Sequence, residues 1–228
     1  PSSSKDPFAL RRAAITLLKI ILENKIEVKL NDLLKNSAEL YREQKINLTN
    51  ENLIEEILLF LKERTKNLLK DKGVKSDIIE AVLSSHRGDN FLSLYQKGLV
   101  LNKYYKSESY QNMVASFKRV SSILNQEKSD NKKLIGQPDS ILFKTEEEKE
   151  LYEKISEIRK HFSIRSRKED YEETIKYLSN TVSATNNFFE NVIVNDENSD
   201  IKENRLELLK MFCKTFNSFI DFSKLEGA

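Results

Sequence analysis

Only one cysteine, Cys213, stands among 228 residues, so no disulfide can close within the chain, and the thiol usage fits a reducing compartment. Glycine and proline are nearly as scarce, at 5 and 3. A fold of many short strands needs frequent turn signals, and this chain does not supply them. No apolar run approaches the roughly 20 residues that span a bilayer. Glycine-rich phosphate loops, the nucleophile elbow, HExxH and CxxC are all missing. The two histidines, His86 and His161, are isolated, and nothing at ligand spacing surrounds His86. A conventional acid–base or nucleophilic site therefore has little to work with, and no catalytic or metal-ligating residue is assigned. The opening PSSSKDPF is no signal peptide and lacks an initiator Met, so the chain reads as a fragment or a processed piece.

What is present is helical. Charged residues make up 32% and are interspersed, as on solvated helix faces. Apolar residues recur at three- and four-residue steps, and no run keeps a clear period of two. Asp6 and Pro7 predict the start of a helix reaching about Asn24, with Phe8, Leu10, Ala14, Leu17, Leu18 and Ile21 on its apolar face. A second helix covers about residues 30–44, with Leu33, Leu34, Ala38 and Tyr41. A third runs from Thr49 or Asn50 to about Lys72, and Gly73 suits its left-handed C-cap. Ser76 caps a short helix, and residues 86–89 make a turn. A fifth helix carries Phe91, Leu92, Tyr95, Leu99 and Tyr104. A sixth begins at Ser107 or Ser109 and carries Met113, Val114, Phe117, Val120 and Leu124.

Residues 126–144 are polar and hold Gly136 and Pro138; they read as a linker pinned by Ile135, Ile141, Leu142 and Phe143. Thr145 and Glu148 form a capping-box pattern at the head of the next helix. Another helix carries Tyr171, Ile175 and Leu178, and a break near Asn180 or Thr181 leads to Phe188 and Phe189. The last helix, capped by Ser199 or Asp200, buries Leu206, Leu209, Cys213, Phe216 and Ile220, with Asn204 and Arg205 at the edge of the stripe. The expectation is an all-α chain of about nine or ten helices. Residues 1–86 would form a helical body and residues 87–228 a helical bundle.

Net charge is only +2, but its distribution is uneven. Residues 1–125 hold 21 Lys+Arg and 15 Asp+Glu, whereas residues 126–228 hold 17 and 21. That asymmetry permits a basic face. The densest basic cluster is Arg159, Lys160, His161, Arg165, Arg167 and Lys168, which suits either phosphate contacts or a solvated hairpin tip.

Several stretches carry a resemblance. SKDPFALRRAA (residues 4–14), FLKERTKNLLKDKGVKSDIIEAVL (60–83), SFKRVSSIL (116–124), FFENVIVNDENSDIKENRLELL (188–209) and DFSKLEG (221–227) follow one another in an order that resembles the β subunit of the two-subunit bacterial glycyl-tRNA synthetase. The match is weakest over residues 25–50 and 126–187. ITLL (15–18) departs slightly from that family's glycine-containing run.

The resemblance implies the C-terminal part of that subunit, ending in an anticodon-binding helical domain. It implies a segment of a cytoplasmic glycine–tRNA ligase that is not itself catalytic. ATP and Mg would belong to the assembled enzyme, with no cofactor in this segment. Its partners would be glycine tRNA, the synthetase α subunit and the rest of the β subunit, with no membrane involved. The RNA-binding residues it points to are Lys118, Arg119, Asn204 and Arg205, joined by Arg165 and Arg167 of the basic cluster. Lys118, Arg119 and Arg205 adjoin apolar stripes, so all three are expected on one groove rim. The competing reading is a helical scaffold that binds another protein and no RNA.

Overall fold

The computed structural model describes residues 8–85, 89–127, 134–164 and 170–226. Every α-helix among them agrees with the all-α expectation, and no strand occurs among the described residues. The chain divides into two compact units, residues 1–102 and 103–228.

In the first unit, α1 (Leu10–Glu23) and α2 (Leu30–Glu43) both pack on α3 (Leu53–Asp71), which also meets α4 (Ser76–Leu83). Ala14, Leu18, Ile21, Leu30 and Leu61 form its core with Phe91 and Leu92 of α5 (Phe91–Tyr104). Gly73 takes the expected left-handed turn after α3, with φ 75°. The Asn102 amide accepts from Lys75 N–H at 3.0 Å and donates to Gly73 O at 3.3 Å, fixing that turn.

Three starts in this unit differ from expectation, one of them slightly: Ser76 is already the first residue of α4, with Lys75 at the cap position and no side-chain cap bond. Helix α1 begins at Leu10, because Ala9 is left-handed (φ 57°) and cannot belong to it; Asp6 and Pro7 lie outside the described residues. Helix α3 begins at Leu53, because Asn50 Oδ1 accepts from Asn52 N–H and holds a turn there. Part of the predicted apolar face is also uncovered. Phe8, Leu10, Leu33 and Tyr41 are exposed, as is Leu40.

In the second unit, α6 (Glu108–Gln126) packs against α8 (Tyr171–Ser179), α9 (Thr181–Asn191) and α10 (Ser199–Asn217); α7 (Glu146–Ile164) packs on α9 and α10. Four rings make the centre. Phe212 stacks on Phe216 at 4.2 Å between centroids, and Phe222 meets Phe117 at 5.3 Å and Phe216 at 5.0 Å. Ser107 caps α6 and the Thr145–Glu148 box caps α7, as their sequences predict. Helix α10 is capped instead by Asn198, whose Oδ1 accepts from the N–H groups of Asp200 and Ile201. Asn198 is still extended (φ −80°, ψ 115°) while Ser199 is already helical, and that conformation decides the cap.

The segment between α6 and α7 is held mainly by polar contacts and not by the isoleucines. Ile135 and Ile141 are exposed; Phe143 alone of the four expected pins is buried. The Glu207 carboxylate accepts from the successive N–H groups of Ile135, Gly136 and Gln137. Asn204 exchanges two hydrogen bonds with the Asp139 backbone at 2.7 and 2.9 Å, and Lys214 Nζ donates to Ile135 O at 2.6 Å. Residues 204, 207 and 214 lie at helical spacing, so one side of α10 carries the whole strap.

Gly136 makes this possible. Its φ is 71°, and a Cβ there would lie 3.0 Å from Met211 N and 3.1 Å from Met211 Cα, backbone atoms that cannot swing away. Gly136→Ala is expected to destabilise the second unit by about 1–3 kcal/mol. Urea unfolding of the variant checks this, and an unchanged midpoint would contradict the close approach.

Candidate nucleic-acid interface

Helix α6 turns Tyr110, Met113, Val114, Phe117, Val120 and Leu124 inward. The periodicity that buries those side chains leaves Gln111, Asn112, Ala115, Lys118, Arg119, Ser122, Asn125 and Gln126 exposed along one ridge. No acidic residue occurs between positions 109 and 126. The ridge is thus two cations among amides and hydroxyls.

Beside it lies a shallow groove of about 480 Å³, lined by Lys118, Ser121, Ser122, Asn125 and, from the C-terminal 3-10 turn (Phe222–Lys224), Ser223. Phe117 forms its floor and belongs to the aromatic core. On the α9 side, Arg119 Cζ sits 4.2 Å from the centroid of the half-buried Phe189 ring. That is a cation–π contact, which keeps the guanidinium at the surface without neutralising it. Phosphate oxygens can be met by Lys118 and the hydroxyls, and base edges by the amides.

Arg205 and Asn204 lie elsewhere, so the groove-rim place expected for Arg205 and the RNA-contact place expected for Asn204 are both corrected. Each is 5% exposed. Arg205 Nε donates to Glu148 Oε1 at 2.7 Å, and Nη1 donates to Asp196 Oδ2 at 2.7 Å and to Ile193 O at 2.8 Å. Glu148, fully buried, completes its shell by accepting from the N–H groups of Lys144 (2.6 Å) and Thr145 (2.8 Å). The Asn198 N–H, with the Arg205 guanidinium in support, holds the Asp196 carboxyl below the usual carboxylate range. Carboxylates from α7 and from the loop before α10 draw Arg205 inward, so it does not converge with Lys118 and Arg119. Asn204 is spent on Asp139. Arg165 and Arg167 fall outside the described residues.

The structure also shows participants that the sequence reading missed. Phe189 supports Arg119, Ser223 joins the groove, and Glu148 is an ion-pair hub as well as a capping-box member. The capping box was a signal for Glu148; nothing local links Phe189 to Arg119. A contrasting surface lies on α7, where Glu146, Glu147, Glu150 and Glu153 outnumber Lys149 in the lining of another shallow groove, with Asn187 and Asn191. Phosphate would be repelled there. Cys213 is buried, and burial pushes its thiol up to about 12, which makes it inert at neutral pH. Among the described residues no group of three His, Cys, Asp or Glu side chains is placed to hold a metal ion, and no helix is long and apolar enough to cross a membrane.

Residues 1–84 match the family model described as glycyl-tRNA synthetase beta subunit, and residues 113–223 match the one described as DALR anticodon binding domain. Over 225 residues the chain is 34% identical to the glycine–tRNA ligase beta subunit of Rickettsia africae, 35% to that of Rickettsia canadensis and 31% to that of Clostridioides difficile. These alignments take in 99% of this chain and 31–32% of each relative, so the chain spans about a third of the length of the curated relatives it matches.

The buried ion pair has a measurable consequence. Removing Arg205 leaves the buried Glu148 charged and without a cation, so Arg205→Ala is expected to cost about 3–5 kcal/mol in urea unfolding, whereas Glu148→Ala leaves Arg205 paired with Asp196 and should cost less. Arg205→Lys should not restore wild-type stability, because one ammonium lacks the fork that reaches Glu148, Asp196 and Ile193 O together. Wild-type stability in Arg205→Ala would show that the pair contributes nothing.

Proposed function

The chain belongs to the glycyl-tRNA synthetase β-subunit family, and from that membership we propose that it is the tRNA-recognising part of such a subunit, grasping the anticodon arm of glycine tRNA while the assembled enzyme attaches glycine in an ATP-dependent step. The observation that carries the reading is the acid-free ridge of α6, which from Ala115 to Gln126 lies inside the residues matching the DALR anticodon binding domain. Cations there release counterions from RNA phosphates, which supplies affinity without sequence information. Anticodon bases are single-stranded, so their edges are open to the amides of Asn112 and Asn125.

In this reading Lys118 and Arg119 touch RNA, and Asn204 and Arg205 act indirectly by fixing the bundle that presents them. The binding bundle is the second compact unit, which begins at residue 103 and not at the expected residue 87, and residues 1–102 are a helical body. The segment is non-catalytic. Glycine activation belongs to the α subunit, with ATP and Mg used by the assembled enzyme; the α subunit and the rest of the β subunit are its partners in the cytoplasm. The exposed Leu33, Leu40 and Tyr41 of α2 support a protein contact by the first unit. That surface is compatible with a place in a larger assembly.

Lys118 carries the test. Among the described residues no acid pairs with it, so Lys118→Ala leaves no buried charge behind. The variant is expected to bind glycine tRNA transcripts more weakly whatever their anticodon, and to flatten the slope of log K against log salt by about 0.7–0.9. Glu150→Ala, on the acidic α7 groove, should not weaken binding. Fluorescence anisotropy titrations between low and physiological salt measure both. Binding indifferent to salt would contradict a phosphate-contacting surface.

A further inference from the structure

We propose that Arg119 and Phe189 together form a stacking platform for one unstacked base of the bound RNA, so that Arg119 acts through the face of its guanidinium and not as a reader of base edges. The proposal rests on the tRNA-binding reading above and gives the ridge a specific contact. Three features of the site lead to it. The guanidinium carbon lies 4.2 Å over the Phe189 ring, so one side of the group is covered by aromatic carbon. Arg119 is nevertheless exposed, which leaves its outer side open to a planar ligand. Phe189 is itself backed edge-on by the fully buried Phe188, their centroids 5.4 Å apart at 78°, so the lower layer is anchored in the bundle.

The chemistry favours a base in the third layer. A guanidinium is planar, delocalised and weakly hydrated, and it stacks on π faces where a lysine ammonium does not. Its hydration is already reduced on the Phe189 side. Single-stranded RNA offers splayed bases that proteins hold between aromatic and arginine planes. Every base has such a face, so this contact adds affinity with little discrimination among sequences. Discrimination then falls to the neighbouring amides, Asn112 and Asn125, and to Lys118 falls the phosphate. One ridge would thus divide charge, stacking and edge recognition among different side chains.

The test separates charge from plane. Arg119→Lys keeps the cation and removes the planar group, while Phe189→Leu removes the support and Phe189→Tyr keeps a ring. Affinity of the full chain for glycine tRNA is measured by anisotropy at several salt concentrations, with melting curves of each variant alongside. Arg119→Lys is expected to weaken binding at least about fivefold while leaving the salt slope at the wild-type value. Phe189→Leu should weaken it similarly, Phe189→Tyr should bind as wild type, and the Arg119→Lys/Phe189→Leu double variant should lose little more than either single one. Wild-type affinity in Arg119→Lys, together with a reduced affinity and a flatter salt slope in Arg119→Ala, would make Arg119 a phosphate contact and overturn the platform while leaving the ridge intact. Unchanged binding in Lys118→Ala, Arg119→Ala and Arg119→Lys alike would overturn both the platform and the interface it rests on.

Discussion

The second unit depends on one desolvated contact, the pairing of Arg205 with Glu148. A carboxylate without solvent exposure is costly unless both oxygens are satisfied, and here both are: Oε1 takes the guanidinium, Oε2 takes two backbone N–H groups at the head of α7. The same guanidinium reaches Asp196 and Ile193 O, so the loop before α10 is tied to the start of α7 through a single side chain. Hydrophobic packing brings these elements together, but it tolerates sliding. Directional bonds from one arginine to three groups do not.

Fixing α10 fixes what packs on it. Asn204, Glu207 and Lys214 take up the strap over residues 135–139, and Phe212 and Phe216 take up Phe117 and Phe222. Through Phe117 the orientation of α6 is set, and with it which side chains face solvent. The polar ridge of Lys118, Arg119, Ser122 and Asn125 is therefore a product of the core behind it. Function in this reading is carried by residues that contribute little to stability, presented by residues that never touch RNA. The acidic α7 groove gives the unit an opposite electrostatic surface, which would confine a polyanion to the α6 ridge.

Much of the fold was legible in the sequence because helices announce themselves by period and by caps. The inward residues of α6, the capping box at Thr145 and Glu148, and the turn at Gly73 are local signals, and the structure keeps them. What was not legible depends on distant partners. Arg205 next to an apolar stripe reads as a rim cation until Glu148, 57 positions earlier, is found beside it. Ile135 and Ile141 read as anchors, yet the strap is held by a carboxylate and an amide on α10 that no local pattern marks. The α10 cap lies at Asn198, one residue before Ser199 and two before Asp200, since adjacent Asn, Ser and Asp are nearly equivalent caps and backbone geometry chooses. Lys118 and Arg119 were found through family resemblance, and the ring beneath Arg119 came only from tertiary packing.

Whether RNA lies on the α6 ridge or on α7 can be read directly by site-specific photo-crosslinking. A photoreactive amino acid at Ser122 is compared with one at Glu150, in each case with glycine tRNA bound. Crosslinks from position 122 into the anticodon arm, with none from position 150, are the predicted result. Crosslinks from position 150 into the same arm, with position 122 silent, would contradict it.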